Sequence, residues 1–169
     1  VGMFNKAPSA ATLSSLASSF EGYTGNDEAR LYSLADSLST TSDYTTMMSG
    51  KVTSEAIALQ LVTNAGLDAA SITDSTNLAY HVYTWAVNTS NAGVNSQTII
   101  AAYSQFINTQ AHLATEAIWQ NAYQLAANKA EVAVYYATTG SNADATTILA
   151  SVTATDTATA KATVDGTSN

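Results

Sequence analysis

No cysteine occurs in the 169 residues, so a disulfide framework, a thiolate nucleophile and a zinc ribbon are all excluded. One proline and eight glycines are present, too few for a flexible linker or a glycine-repeat solenoid. Five basic residues stand against 13 acidic ones, a formal charge of −8. That balance repels phosphate backbones and anionic lipid surfaces, and no nucleic acid partner is expected. Apolar runs of about 18 residues are also missing, so no membrane insertion is expected. The longest candidates, near residues 56–62 and 130–137, are short and broken by polar positions. The opening residues show no basic and apolar leader, and the chain enters at Val1 as if within a pattern, which suggests a fragment or a processed form.

What is present is alanine, threonine and serine: 32, 25 and 19 residues respectively. With 46% hydrophobic residues the chain can build a core, and its length suits one domain. A cysteine-free, lysine-poor, hydroxyl-rich composition leans toward the large proteins that bacteria export to their surface.

Apolar spacing points to an all-α fold, a single bundle of about six to eight short and medium helices. Over residues 9–22, Ser9 is placed as an N-cap and Leu13, Leu16, Ala17 and Phe20 share a face. A second helix starts near Asn26, with Asp27 and Glu28 in its first turn and Leu31, Leu34, Ala35 and Leu38 on one side. A short helix with Tyr44, Met47 and Met48 follows Asp43 and stops at Gly50. Another spans residues 52–66, carrying Ile57, Leu61 and Val62.

Residues 76–88 place Leu78, Val82, Trp85 and Ala86 on one face and Tyr80, Tyr83 and Val87 on the other. Ser96 is expected to cap a helix with Ile99, Ala102, Tyr103, Phe106 and Ile107 inward. Residues 111–138 form the longest periodic segment, in which the strand-like run from Val132 to Tyr136 is overruled by its Ala-rich approach. Gly140 ends it, and residues 143–152 read as one more helix. The organisation expected is a helical domain over residues 1–152 and a Thr/Ala-rich linker over 153–169, leading to a downstream region.

Catalytic signatures are few. The adjacent acidic pair Asp27 and Glu28 is explained by the helix dipole rather than by glycosidase chemistry. No G-x-S-x-G elbow, phosphate loop, dinucleotide fingerprint or EF-hand loop is found, and no enzyme is expected. His112 and Glu116 have the spacing of a shared metal face or a salt link, and the bland reading, a surface pair, is preferred. Asp68, Asp74 and Asp144 read as solvated turn residues, not calcium ligands.

Aromatic residues are the better lead. A sugar's C–H face stacks on Tyr or Trp while Asn, Gln and Asp bond its hydroxyls. Trp85 and Tyr103 fall among apolar neighbours and are expected in the core. Tyr80 and Tyr83, opposite the Leu78 face, and Tyr135 near Gln124 and Glu131 are the candidates for contact with a glycan or a neighbouring subunit.

The opening Val1-Gly2-Met3-Phe4-Asn5-Lys6-Ala7-Pro8 resembles a motif of small helical repeats in bacterial surface proteins. The likeness continues through Leu34, Ala35 and Leu38, the turn Gly50 to Thr53, the stop Asn64 to Leu67, the run Asn128 to Tyr136, and Ile148 to Thr153. That series is similar to the all-helical N-terminal regions of RTX-type surface-layer and other large exported proteins of Gram-negative bacteria. The chain departs from the pattern at Thr12-Leu13-Ser14-Ser15-Leu16, where many relatives carry a tryptophan, so no contact by such a residue is carried over.

The resemblance implies an S-layer domain at the extracellular bacterial cell surface, attaching a lattice to lipopolysaccharide O-antigen, with secretion by a type I apparatus. It implies no cofactor in this domain, although calcium is possible in the full-length protein. The alternative partner is other copies of the same chain, packed helix against helix into a filament, sheath or lattice.

Overall fold

The computed structural model describes residues 1–166, apart from the side chain of His112. Among the described residues the chain is all α, with no strand. Its helices are α1 (Ala10–Gly22), α2 (Asp27–Ser39), α3 (Ser42–Met48), α4 (Ser54–Asn64), α5 (Leu78–Asn91), α6 (Ser96–Thr109), α7 (Ala117–Thr139), α8 (Thr147–Ala150) and α9 (Ala158–Gly166). Single 3₁₀ turns lie at Ala69–Ser71 and Ala111–Leu113.

Local chemistry sets the helix starts. Ser9, Asn26, Thr41, Thr53 and Asn77 each accept a backbone N–H two or three residues on, satisfying a donor that has no intrahelical partner. The stop of α7 is equally local: Gly140 adopts φ 67°, a left-handed conformation that costs a side-chain-bearing residue more. Ser96 opens α6, and its hydroxyl is paired with the Tyr44 hydroxyl at 2.7 Å.

Two compact units are present. The central unit holds Gly2–Phe4 and Tyr23–Phe106, and the terminal unit holds Val1, Asn5–Gly22 and the stretch from Ile107 on. In the central unit α4 and α5 form the most extensive helix pair. Ala58, Leu61 and Val62 of α4 and Ala79, Val82 and Ala86 of α5 are fully buried. The alanines let helices approach closely while the larger residues fill the remaining space. Asn64, also buried, closes the end of α4 by donating from Nδ2 to the Met3 carbonyl at 2.6 Å and accepting from Gln60 at 2.7 Å.

The terminal unit is built on α7. Val132 and Ala133 pack with Ala7, Ile148, Leu149, Val152, Ala160 and Val164 in one apolar cluster. Ala7 is pinned there by its N–H bond to the Ala145 carbonyl at 3.0 Å.

Three features differ from the sequence reading. Residues 111–138 are not one helix, because a 3₁₀ turn at Ala111–Leu113 and the extended Ala114 interrupt it before α7 begins. The helix expected over 143–152 shrinks to the single turn of α8, held from its start by Asp144, which accepts from Thr146 N and Thr147 N. Residues 153–166 are not a linker. Their helix α9 buries Ala160 and Val164 completely, and burial of those side chains compensates for the weak helix propensity of threonine. The last three residues of the expected linker, 167–169, lie outside the described residues.

Candidate functional site

The five sequence candidates fall into two places, Tyr80 and Tyr83 in the central unit and Gln124, Glu131 and Tyr135 in the terminal one.

The α7 candidates face the C-terminal segment. The Tyr135 hydroxyl donates to Asp165 Oδ1 at 2.6 Å, and the Lys161 ammonium lies 5.5 Å from the Tyr135 ring centroid while pairing with Glu131. Residues 131 and 135 are one turn apart on α7, and 161 and 165 one turn apart on α9, so the four side chains form a rectangle across the helix pair. The Asp165 carboxylate, as hydrogen-bond acceptor, raises the Tyr135 phenol above its usual value, and desolvation and the nearby negative charge add to this. Gln124 donates to Asn128 Oδ1 at 2.9 Å, and Asn128 donates from Nδ2 to the Thr153 carbonyl at 2.8 Å. The polar groups of all three candidates are thus engaged, directly or through one neighbour, in holding residues 153–166 against α7.

Lys129, between these clusters, is buried and donates to Asn5 Oδ1 at 2.8 Å. Burial lowers its pKa to about 8.

The α5 candidates are placed differently. Leu78, Ala79, Val82 and Ala86 form the buried side of the helix, and Tyr80 and Tyr83 are half-buried beside it. Around the remaining circumference come Tyr80, Thr84 and Asn88, successive turns of one row, and His81 and Trp85, successive turns of the next. Tyr80 and His81 meet edge to face, with centroids 5.4 Å apart at 82°.

Trp85 belongs to this outer surface and not to the core, being 38% exposed. It sits at the margin of the Val82 and Ala86 side, where one turn of helix geometry does not decide between burial and solvent. Tyr103, the other aromatic expected inside, is half-buried, and desolvation pushes its phenol well above the usual value.

One sequence signal marks the α5 face. Residues 75–115, which include all of α5 and α6, contain no Asp, Glu, Lys or Arg in a chain of net charge −8. The outer face therefore offers rings, amides and hydroxyls with no Asp, Glu, Lys or Arg among them, a composition suited to sugar hydroxyls and C–H faces.

Elsewhere the acidic side chains close their own turns. Asp68 accepts from Ser71 Oγ and Ala70 N, and Asp74 from Thr76 N and Oγ1; these bonds hold both carboxyls below their ordinary values. Asp144 is lowered in the same way by Thr147. Asp27 and Glu28 lie in the first turn of α2, capped by Asn26. Of the His112 and Glu116 pair, the His112 side chain lies outside the described ones, and Glu116 is exposed at the start of α7. Among the described residues no group of three or more His, Asp or Glu could hold a metal ion, and no helix is long and apolar enough to cross a membrane.

Comparisons of the chain with family models, with curated proteins and with solved structures find no match.

Proposed function

We propose that the chain is a non-enzymatic structural module of an exported bacterial surface protein, and that it attaches an S-layer to the glycan of lipopolysaccharide. The observation that carries this reading is the outer face of α5, where Tyr80, His81, Thr84, Trp85 and Asn88 combine an exposed indole with polar neighbours and no Asp, Glu, Lys or Arg. Likeness to the helical N-terminal regions of RTX-type surface proteins supports the cellular setting proposed with it: extracellular, reached by type I secretion, with calcium possible in the full-length protein.

Co-sedimentation of the purified chain with smooth lipopolysaccharide tests the reading. A discrete complex that free O-polysaccharide competes away is the expected result, and an inert monomer across all lipopolysaccharide concentrations overturns it.

A second reading is favoured by α1. None of its 13 residues is buried, and Leu13, Leu16 and Phe20 remain half-covered along one stripe. Docking that stripe against another copy would bury it, as in a filament or lattice without sugar recognition. Sedimentation velocity over a wide protein concentration range separates the two: growth of assemblies that Leu13→Ser and Leu16→Ser abolish supports self-packing, and a monomer at every concentration rejects it.

A further inference from the structure

Building on the glycan reading of α5, we infer the class of ligand: an uncharged polysaccharide segment that stacks on the Trp85 indole and is hydrogen-bonded by Thr84, Asn88 and the Tyr80 hydroxyl.

The charge pattern excludes the acidic alternative. Phosphorylated or carboxylated sugars are held by Lys and Arg, which give charge-assisted and often bidentate bonds. Neither residue type occurs on α5 or anywhere in residues 75–115, and the net charge of −8 adds long-range repulsion of an anion. A neutral sugar meets no such penalty. Its hydroxyls both donate and accept, matching the amide of Asn88 and the hydroxyls of Thr84 and Tyr80.

Geometry supplies the rest of the argument. Trp85 has His81 one turn before it and Asn88 nearly one turn after it, so a flat exposed ring lies between two polar side chains on one helix face. The edge-to-face contact of Tyr80 and His81 orders those rings beside it, which lowers the entropy lost on binding. A second copy of the chain fits this face poorly. Helix docking asks for a continuous apolar stripe, and the amides and hydroxyls here would lose water without assured partners. Binding is therefore expected to depend little on salt.

The experiment uses the whole chain carrying Trp119→Phe, so that indole emission reports Trp85 alone. The probes are a neutral O-polysaccharide freed of lipid, dextran, and polygalacturonate as the anionic comparator. Saturable binding of a neutral polymer with a shift in Trp85 emission is expected, with affinity changing less than about twofold between roughly 50 and 500 mM NaCl. Trp85→Ala should weaken it by at least about tenfold, as expected for the loss of a stacking aromatic anchor, and Asn88→Ala should weaken it less, each with an unchanged far-ultraviolet spectrum.

Preference for polygalacturonate, or binding that collapses with salt, overturns the neutral class while leaving glycan attachment standing. Absence of binding to every polymer and to smooth lipopolysaccharide overturns both. Self-association that Trp85→Ala abolishes reassigns the face to contact between copies and overturns the proposal.

Discussion

The Tyr135 hydroxyl reaches Asp165 across 2.6 Å and across 30 residues of sequence, tying the C-terminal part of α7 to α9. Beside it the Lys161 and Glu131 pair spans the same two helices. Because both links are largely solvent-exposed, each adds to apolar docking instead of replacing it. Tyr135→Phe should keep the ring and its Lys161 contact while losing the Asp165 bond. Amide exchange in α9 should then speed up by about three- to tenfold, with little change elsewhere. Unchanged exchange in α9 would show that the link does not hold the helix.

Val164 carries the apolar share of that docking. It has no exposed surface and lies in the cluster with Val132, Ile148 and Leu149. Val164→Ala should cost about 1 to 3 kcal/mol by the loss of buried methyl groups and the cavity left behind. Chemical denaturation monitored by far-ultraviolet circular dichroism measures this, and a cost near zero would return residues 153–166 to the status of a linker.

Asn64 is a buried polar residue whose amide bridges the Met3 carbonyl and the Gln60 side chain. Asn64→Leu removes the bridge and leaves the carbonyl of half-buried Met3 without that donor. A loss of about 1 to 3 kcal/mol is expected, measured by the same denaturation, and Asn64→Asp should also destabilise because a carboxylate cannot donate to Met3.

Lys129 makes stability depend on alkaline pH. Its folded pKa is lowered to about 8 from 10.5 by burial, so below about 8 the lysine is charged in both states and the folded state bears the desolvation cost. Between these values the unfolded chain binds more protons, and stability rises with pH. The rise is on the order of 2 kcal/mol. Comparing Lys129→Met with the parent between pH 7 and 10.5 isolates it: the parent should gain stability relative to the variant over that window. Parallel curves would show that Lys129 keeps an ordinary pKa.

Trp85 and Ile99 offer a contrast between surface and core. Trp85→Ala removes a ring that is 38% exposed, whereas Ile99 has no exposed surface. Thermal unfolding should show Ile99→Ala costing about 2 to 5 kcal/mol and Trp85→Ala less than that. Equal losses would place Trp85 in the core after all.

Helix starts were legible where a cap and an apolar period coincide. Asn26 with Asp27 and Glu28, and Gly140 after the long helix, behave as their local chemistry dictates. The strand-like run at Val132 to Tyr136 lies within α7, because the Ala-rich turns before it carry the helix through. Boundaries were less legible where no strong breaker occurs, as at Ala114 and over residues 143–146.

On α5, the position of Tyr80 and Tyr83 off the buried side was visible from spacing, whereas the outward placement of Trp85 was not. Gln124, Glu131 and Tyr135 were recognisable as poorly suited to a core; the Gln124–Asn128 bond is local to α7, but Thr153 beyond it, Lys161 and Asp165 become partners only when the C-terminal segment folds back.

The residues alone establish a helical, cysteine-free, acidic chain with a charge-free middle, because caps, periodicity and composition act locally and are written in order along it. They do not establish which side of an amphipathic helix another helix will cover, since periodicity relates side chains within one element and carries no information about its neighbour. Folding resolves that choice at α9, where burial of Ala160 and Val164 turns a Thr/Ala segment of weak propensity into part of the core.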